Sequence, residues 1–297
     1  MTWLALLAAL AVAGGAAPAA AERPPRLSVT NAEVRDARAW ARQRDGRVAF
    51  AVAERGRPIR GLATARVYSS ASVVKAMLLI AVLRAHRHRA LPAARRAPLE
   101  PMVRSSDNDA ASAVYAQVGA AGLRDVARAA GMRRFLDVGY WSSAQITAAD
   151  QARLFLRLHA VVPRRHRRYA RRLLAGIVHE QRWGIAAVAD RHGLRILFKG
   201  GWRSDLAHQV ARVEHRGRAI AVAVMTDTDP STAYGQATIR GIASRLLVRG
   251  TELMPVARPA RAARRSGRAR QARAARRARS ARPPRSGRRR GSGTRAR

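Results

Sequence analysis

The eight residues SVVKAMLL, Ser72 to Leu79, decide how this chain is read. The chain has 297 residues and 58 Lys plus Arg, yet only Lys75 and Lys199 are lysines. Everywhere else a positive charge is written as arginine. Ser72 and Lys75 stand three apart at the head of an apolar run, so a helix there carries both on one face, one turn apart. A serine hydroxyl is a weak nucleophile until a neighbouring base takes its proton. Arginine cannot accept a proton near neutral pH, whereas a desolvated lysine can. The helix N-terminus also favours negative charge developing near Ser72.

Working outward, SDN (Ser106 to Asn108) opens a helical stretch, and KGG (Lys199 to Gly201) ends a β-like run and holds the other lysine. Three ordered motifs that contain both lysines of the chain are a far stronger signal than S-x-x-K alone. The surrounding pattern gives their setting. NAEVRDARAWARQRD, from Asn31, has helical spacing and a capping-type Asn start, and GRVAFAVAER is β-prone and able to pair with PIRGLATARVY as a hairpin around Gly56 to Pro58. A helix is predicted from Ser72 to about His86. Helical stretches follow to about Glu180: DNDAASAVYAQV, GLRDVARAAG, TAADQARLFLRLH and RRYARRLLAGIV. Three β-like runs, LRILFKGG, LAHQVARVEH and RAIAVAVMTD, precede a closing helix, STAYGQATIRGIASRLLV. The order implies an α+β fold: an antiparallel sheet flanked by N- and C-terminal helices, with an inserted helical lobe.

S-x-x-K, S-D-N and K-T-G, in that order, are the signature of class A β-lactamases and penicillin-binding proteins, and the chain resembles that family from about Asn31 to Gly250. The resemblance implies Ser72 as the acylated nucleophile and Lys75 as its proton acceptor or relay. It implies that Ser106 passes a proton to the leaving nitrogen and that Asn108 holds the substrate amide and Lys75. Lys199 would supply positive charge beside Ser106 and the substrate carboxylate. Gly201 belongs to the same motif, and the backbone N–H groups of Ser72 and Trp202 would form the oxyanion hole. Such donors contribute roughly 3–4 kcal/mol each in other enzymes. Asp107 reads as structural in its turn.

The chain departs from the family in three places. The stretch matching the family's E-x-x-L-N loop, RRFLDVGYWSSAQIT, is short and has no Glu. Asp137 is its only carboxylate and reads as a turn or cap residue, so acylation can be argued through Lys75 but efficient deacylation cannot. Gly200 stands where the family has Thr or Ser, which leaves Arg203 either to bind the substrate carboxylate in a bidentate fashion or to be a solvated surface arginine. The short interval between Ser72 and Ser106 implies a trimmed helical lobe and a more open cleft.

Composition bounds the rest. The net charge is +40, and the absence of cysteine excludes disulfides, thiol nucleophiles and Cys-based zinc sites. His86-x-His88 sits among arginines and reads as solvated, so neither metal nor cofactor is expected. Residues 1–21 read as a signal peptide cleaved after Ala21, with a retained anchor as the alternative; this implies a secreted or cell-envelope protein. Residues 258–297 are Arg, Ala, Ser, Gly and Pro almost throughout and are expected to be a disordered tail. That tail either engages an anionic cell-wall polymer or has no specific role. Without aromatics to stack on bases it is not expected to bind nucleic acid. The domain, expected over 31–250 and as a monomer, reads first as an exported serine hydrolase taking small-molecule β-lactams. Alternatives are a D-alanyl-D-alanine peptidase or other amide or ester hydrolase acting on peptidoglycan peptides, and a catalytically weak wall-binding protein.

Overall fold

From Val48 to Ala53 six apolar residues follow one another, and all six are buried in strand β1 (Arg47–Glu54). A strand covered on one face alternates; an unbroken run needs cover on both. The cover is unequal in size. Ala49, Ala51 and Ala53 point into a core shared with the helical lobe, while Val48, Phe50 and Val52 point into a second core on the opposite face. The computed structural model describes residues 27–248. The expected signal segment, the Arg-rich tail and the end of the expected domain at Gly250 lie outside the described residues.

Helix α1 (Asn31–Arg42) starts with a reciprocal cap in which Thr30 Oγ1 accepts from Glu33 N and Glu33 Oε2 from Thr30 N. The cap is therefore Thr30, and Asn31 is already the first helical residue. After β1 comes a short β2 (Arg60–Leu62), and the expected hairpin ends there. The rest of the segment leaves as β3 (Val67–Ser69) to pair with β4 (Gln145–Thr147) in a separate two-stranded sheet. The lobe holds α2 (Lys75–Ala85), α3 (Ala93–Arg96), α4 (Leu99–Arg104), α5 (Asn108–Ala130), α6 (Ala148–Leu156), α7 (Leu158–Val161) and α8 (Arg167–Ala175). The span α5 holds the two expected helices, which meet in a kink at Gly119, whose positive φ of 57° only glycine adopts without strain. After α9 (Gly184–Arg191) come β5 (Arg195–Arg203), β6 (Leu206–His215), β7 (Arg218–Asp227) and α10 (Thr232–Leu247).

The main sheet is antiparallel with strand order β2-β1-β7-β6-β5. Its chain order is broken between β2 and β5 by the helical lobe, as the element order implied. The architecture is α+β, with a five-stranded antiparallel sheet packed between helices. Helices α1, α9 and α10 cover one face and meet Phe50, Phe198, Val222 and Val224, while the lobe meets Leu197, Val210, Ala221 and Met225 on the other. Every residue of α2 from Lys75 to Leu83 is buried, so its head is fixed by packing on all sides. That head points at β5, the edge strand of the sheet.

Candidate active site

Ser72 is not in an α-helix. It lies in a 3₁₀ turn, Ala71–Val74, that runs into α2 at Lys75. In such a turn residues three apart eclipse one another, which stacks Lys75 under Ser72. Ala71, just before the serine, has φ of 44°, a left-handed conformation that costs a residue with a side chain of order 1–3 kcal/mol. Gly201 of β5 explains how the strand approaches: a Cβ there would lie 2.7 Å from Ser72 N and 2.9 Å from Val73 N. Only a glycine lets the edge strand lie against that turn. Trp202 is the next residue of β5.

Ser106 is also left-handed, with φ of 63°. That turns its carbonyl toward Lys75, whose Nζ donates to Ser106 O at 2.6 Å, to Asn108 Oδ1 at 2.8 Å and to Ser106 Oγ at 3.3 Å. Lys199 Nζ reaches the same hydroxyl at 3.1 Å and its neighbour's carbonyl, Gly200 O, at 3.0 Å. Ser106 Oγ therefore bridges both lysines. Asp107 between them caps α5, accepting from Ala110 N at 2.7 Å. The hydroxyl of Ser72 is half-buried and has no hydrogen-bond partner among the described residues, so it is free for an incoming group.

Both lysines are fully buried, and burial is the first cause that lowers each below its ordinary 10.5. Lys75 falls to about 8, held up in part by Asp107; Lys199 falls to about 7, pushed further by the charge of Lys75. Two amines that share one hydroxyl titrate as a pair. With one proton between them, the pair offers a base and a positive charge together. Among the described residues neither makes an ion pair with a carboxylate.

Instead, the face of Trp141 lies 4.7 Å from Lys75 Nζ. Trp141 is buried, donates to Ser112 Oγ at 3.2 Å, and is tied back to the Ser72 turn by Ser70 Oγ, which donates to Trp141 O at 3.1 Å. It lies in the very loop where a Glu is missing, and its role was not legible there. Asp137, in the same loop, accepts from Tyr115 Oη at 2.9 Å and from Gly139 N at 2.9 Å, which makes it the turn residue it was read as.

Of the further partners, Gln181 and Trp183 belong to QRWGI, a stretch the sequence offers as supporting the site or packing under it, and His208 surfaces only in three dimensions. Gln181 donates to Ser105 O at 2.9 Å and so braces the Ser106 turn. His208, fully buried and held neutral by that burial at about 4, sits 2.9 Å from Ser69 O and positions the approach to the 3₁₀ turn. Trp183 fills the space over Gly200: a Cβ there would lie 3.0 Å from its Cζ2. Trp183 meets Trp202 edge to face at 6.1 Å, and Trp202 remains 37% exposed at the cleft. Arg203 is exposed, with Asp205 as its ion-pair neighbour at 3.9 Å, and is not drawn into the lysine cluster. Among the described residues no group of His, Asp and Glu is arranged to hold a metal ion.

The structure thus brings Ser72, Lys75, Ser106, Asn108, Lys199, Gly201 and Trp202 to one cleft between α2, the head of α5 and β5. Comparison with known proteins bears on the family and the fold. Residues 91–249 match the model of a family described as the beta-lactamase enzyme family. No curated protein sequence matches. Among solved structures, a β-lactamase from Sphaerobacter thermophilus is 21% identical over 73% of this chain and 96% of its own, with a TM-score of 0.64. A variant of PBP-A, solved as its acyl-enzyme complex with penicillin G, is 17% identical over 74% and 97%, with a TM-score of 0.60. A class A β-lactamase from Mycobacterium abscessus is 17% identical over 72% and 97%, with a TM-score of 0.61. At such identities the likeness shows the fold.

Proposed function

The chain belongs to the beta-lactamase enzyme family, and on that premise we propose that it is an active-site serine hydrolase acylated by β-lactams at Ser72 and slow to release the acyl group. Ser72 Oγ attacks the lactam carbonyl carbon and its proton passes to the neutral member of the Lys75–Lys199 pair. The oxyanion that forms is met by the N–H groups of Ser72 and Trp202. As the C–N bond breaks, the Ser106 hydroxyl, already bridged between both amines, gives its proton to the leaving nitrogen and regains one through Lys75. Asn108 holds Lys75 from the other side and can hold the substrate amide.

One observation carries the second half of the reading. Deacylation needs a base that sets water against the acyl carbonyl, and the surface over Lys75 is the apolar face of Trp141. The loop's one carboxylate is already spent on Tyr115 and Gly139. General-base assistance is worth roughly 10²–10⁴-fold, so its loss slows the hydrolysis of the ester by more than it slows its formation. The same observation favours a second reading of the natural substrate, a peptidoglycan peptide whose acyl group goes on to an acceptor other than water.

The test mixes enzyme with excess penicillin and follows product release and intact protein mass together. The expected record is a burst of about one equivalent, an adduct on Ser72, and a slow steady state. Rapid turnover with no adduct would sink slow deacylation, and neither adduct nor turnover would sink acylation itself. Asp137→Asn should leave the steady state unchanged.

A further inference from the structure

A cavity among the described residues lies apart from the Ser72, Lys75 and Lys199 site. It lies at the opposite end of the sheet, holds about 920 Å³, and is lined by Arg55, Arg57, Arg157, Arg167, Arg212 and Arg218. These come from separate parts of the fold: the turn after β1, the end of α6, the head of α8, the body of β6 and the head of β7. Register separates this cavity from the catalytic cleft. Glu54 and Ile220, which face each other across β1 and β7, line the cavity, whereas Lys199 to Trp202 lie at the other end of β5.

The carboxylates close by are already committed. Glu54, the one acidic residue in the lining, is paired with Arg60 and, at 4.0 Å, with Arg57. Behind the cavity wall, Glu214 is shared by two guanidinium groups: Arg171 grips it with two bonds at 2.9 and 2.7 Å, and Arg212 adds a third at 2.7 Å. His159, also in the lining, sits 2.9 Å from Arg171, and burial first, then Arg212 and Arg171, lower its pKa. Arg55, Arg157, Arg167 and Arg218 have no ion-pair partner among the described residues. An isolated surface arginine is satisfied by water and salt. A concave wall of one sign is different, because it focuses the field and concentrates counter-ions within it.

We propose that this cavity is a binding site for a linear oligophosphate, free or as a phosphodiester polymer, separate from the catalytic cleft. Guanidinium forks match phosphate oxygens two at a time, and their spread over several segments suits several phosphates in a row rather than one. The volume is of the size that encloses a small-molecule ligand, roughly 300–1,000 Å³. No Phe, Tyr or Trp lines the cavity and His159 is its one ring, so recognition rests chiefly on the anionic chain.

The experiment uses the full chain and titrates inorganic tripolyphosphate, orthophosphate and a short glycerol-phosphate oligomer by calorimetry at several salt concentrations. Arg55→Ala/Arg57→Ala/Arg218→Ala is compared with a charge-matched control on exposed helical arginines, Arg35→Ala/Arg191→Ala/Arg240→Ala. The cavity variant should lose at least about tenfold in tripolyphosphate affinity and reduce the salt slope, while the control loses little. Acylation by penicillin should be the same in both variants. Tripolyphosphate binding without the oligomer identifies a free ligand, and binding of both identifies a polymer. Equal losses in the two variants, or no preference for tripolyphosphate over orthophosphate, would overturn the site and leave only general charge attraction.

Discussion

The two ends of the sheet handle positive charge in opposite ways. At the catalytic end the charges are lysines, fully buried, unpaired with any carboxylate, and pushed down to about 8 and 7. At the far end they are arginines, most of them exposed and two gathered around Glu214, whose own pKa is pulled down to about 2, chiefly by Arg171. A buried amine gives up its proton to relieve the cost of burial. A guanidinium does not, so burying one demands a partner. On the proposed chemistry, lysine stands where a proton moves and arginine where a charge stays.

The sharpest way to break that contrast is to write arginine into the catalytic end. Lys75→Arg keeps charge and bulk but removes the proton acceptor, and acylation by penicillin should fall by about 10²–10⁴-fold with the fold intact. Stopped-flow acylation with circular dichroism checks both halves; an active variant would end the assignment of Lys75 as base. The reciprocal change at the other end is Glu214→Gln. It leaves Arg171 and Arg212 without their shared carboxylate, but Arg171 is about one-third exposed and water takes part of the loss. Thermal unfolding should show a destabilisation of about 1–3 kcal/mol, with acylation rates unchanged. A loss of activity would mean that the two ends are coupled.

The lysine pair also sets a pH signature. Acylation should rise as the pair loses its first proton near 7 and fall once the second has gone, above about 8. Stability follows a related sign. Both amines bind protons less readily in the fold than at their ordinary 10.5, so between about 7 and 10.5 the unfolded chain holds more protons and stability rises with pH. Lys75→Met should flatten part of that rise. An acylation rate that climbs without a maximum to pH 10 would show that one ammonium is not needed.

Much of this was legible in the sequence, for physical reasons. Strands β1 and β7 read correctly because Val, Ile, Phe and Ala run unbroken through them, and Lys75 and Lys199 stood out by their scarcity. Short pieces were not legible. The three residues of β3 and of β4 carry too little pattern to announce a second sheet. The 3₁₀ turn at Ser72 depends on Ala71 taking a left-handed conformation that no alanine signals by itself. Trp141 carries no local signal because what it touches, Lys75, lies far along the chain; QRWGI, Gln181 to Ile185, reads as supporting the site or packing under it, but the contact of Trp183 with Gly200 is not legible there. Local preference shows where elements are; side chains that meet across the fold are set by packing.

The smallest expected effect concerns how each end holds an anion. The arginine end has many donors, whereas the catalytic end has Lys199 and lacks the hydroxyl that a Thr or Ser at position 200 would add. The structure gives a steric reason for that lack. A Cβ on Gly200 would lie 3.0 and 3.3 Å from Cζ2 and Cη2 of Trp183, which must then move by a few tenths of an ångström against Trp202. A hydroxyl donating to a carboxylate is worth about 1.5–3 kcal/mol, and displacing a packed indole takes back a similar amount. Gly200→Thr alone should therefore change acylation by less than about fivefold. Combined with Trp183→Phe, which removes the obstructing ring, it should favour carboxylate-bearing β-lactams over a neutral ester by more than the two single changes together. The measurement is a double-mutant cycle on acylation rates with both substrates. Additive effects would mean that the indole is not what keeps position 200 a glycine, and that the catalytic end does without the hydroxyl for some other reason.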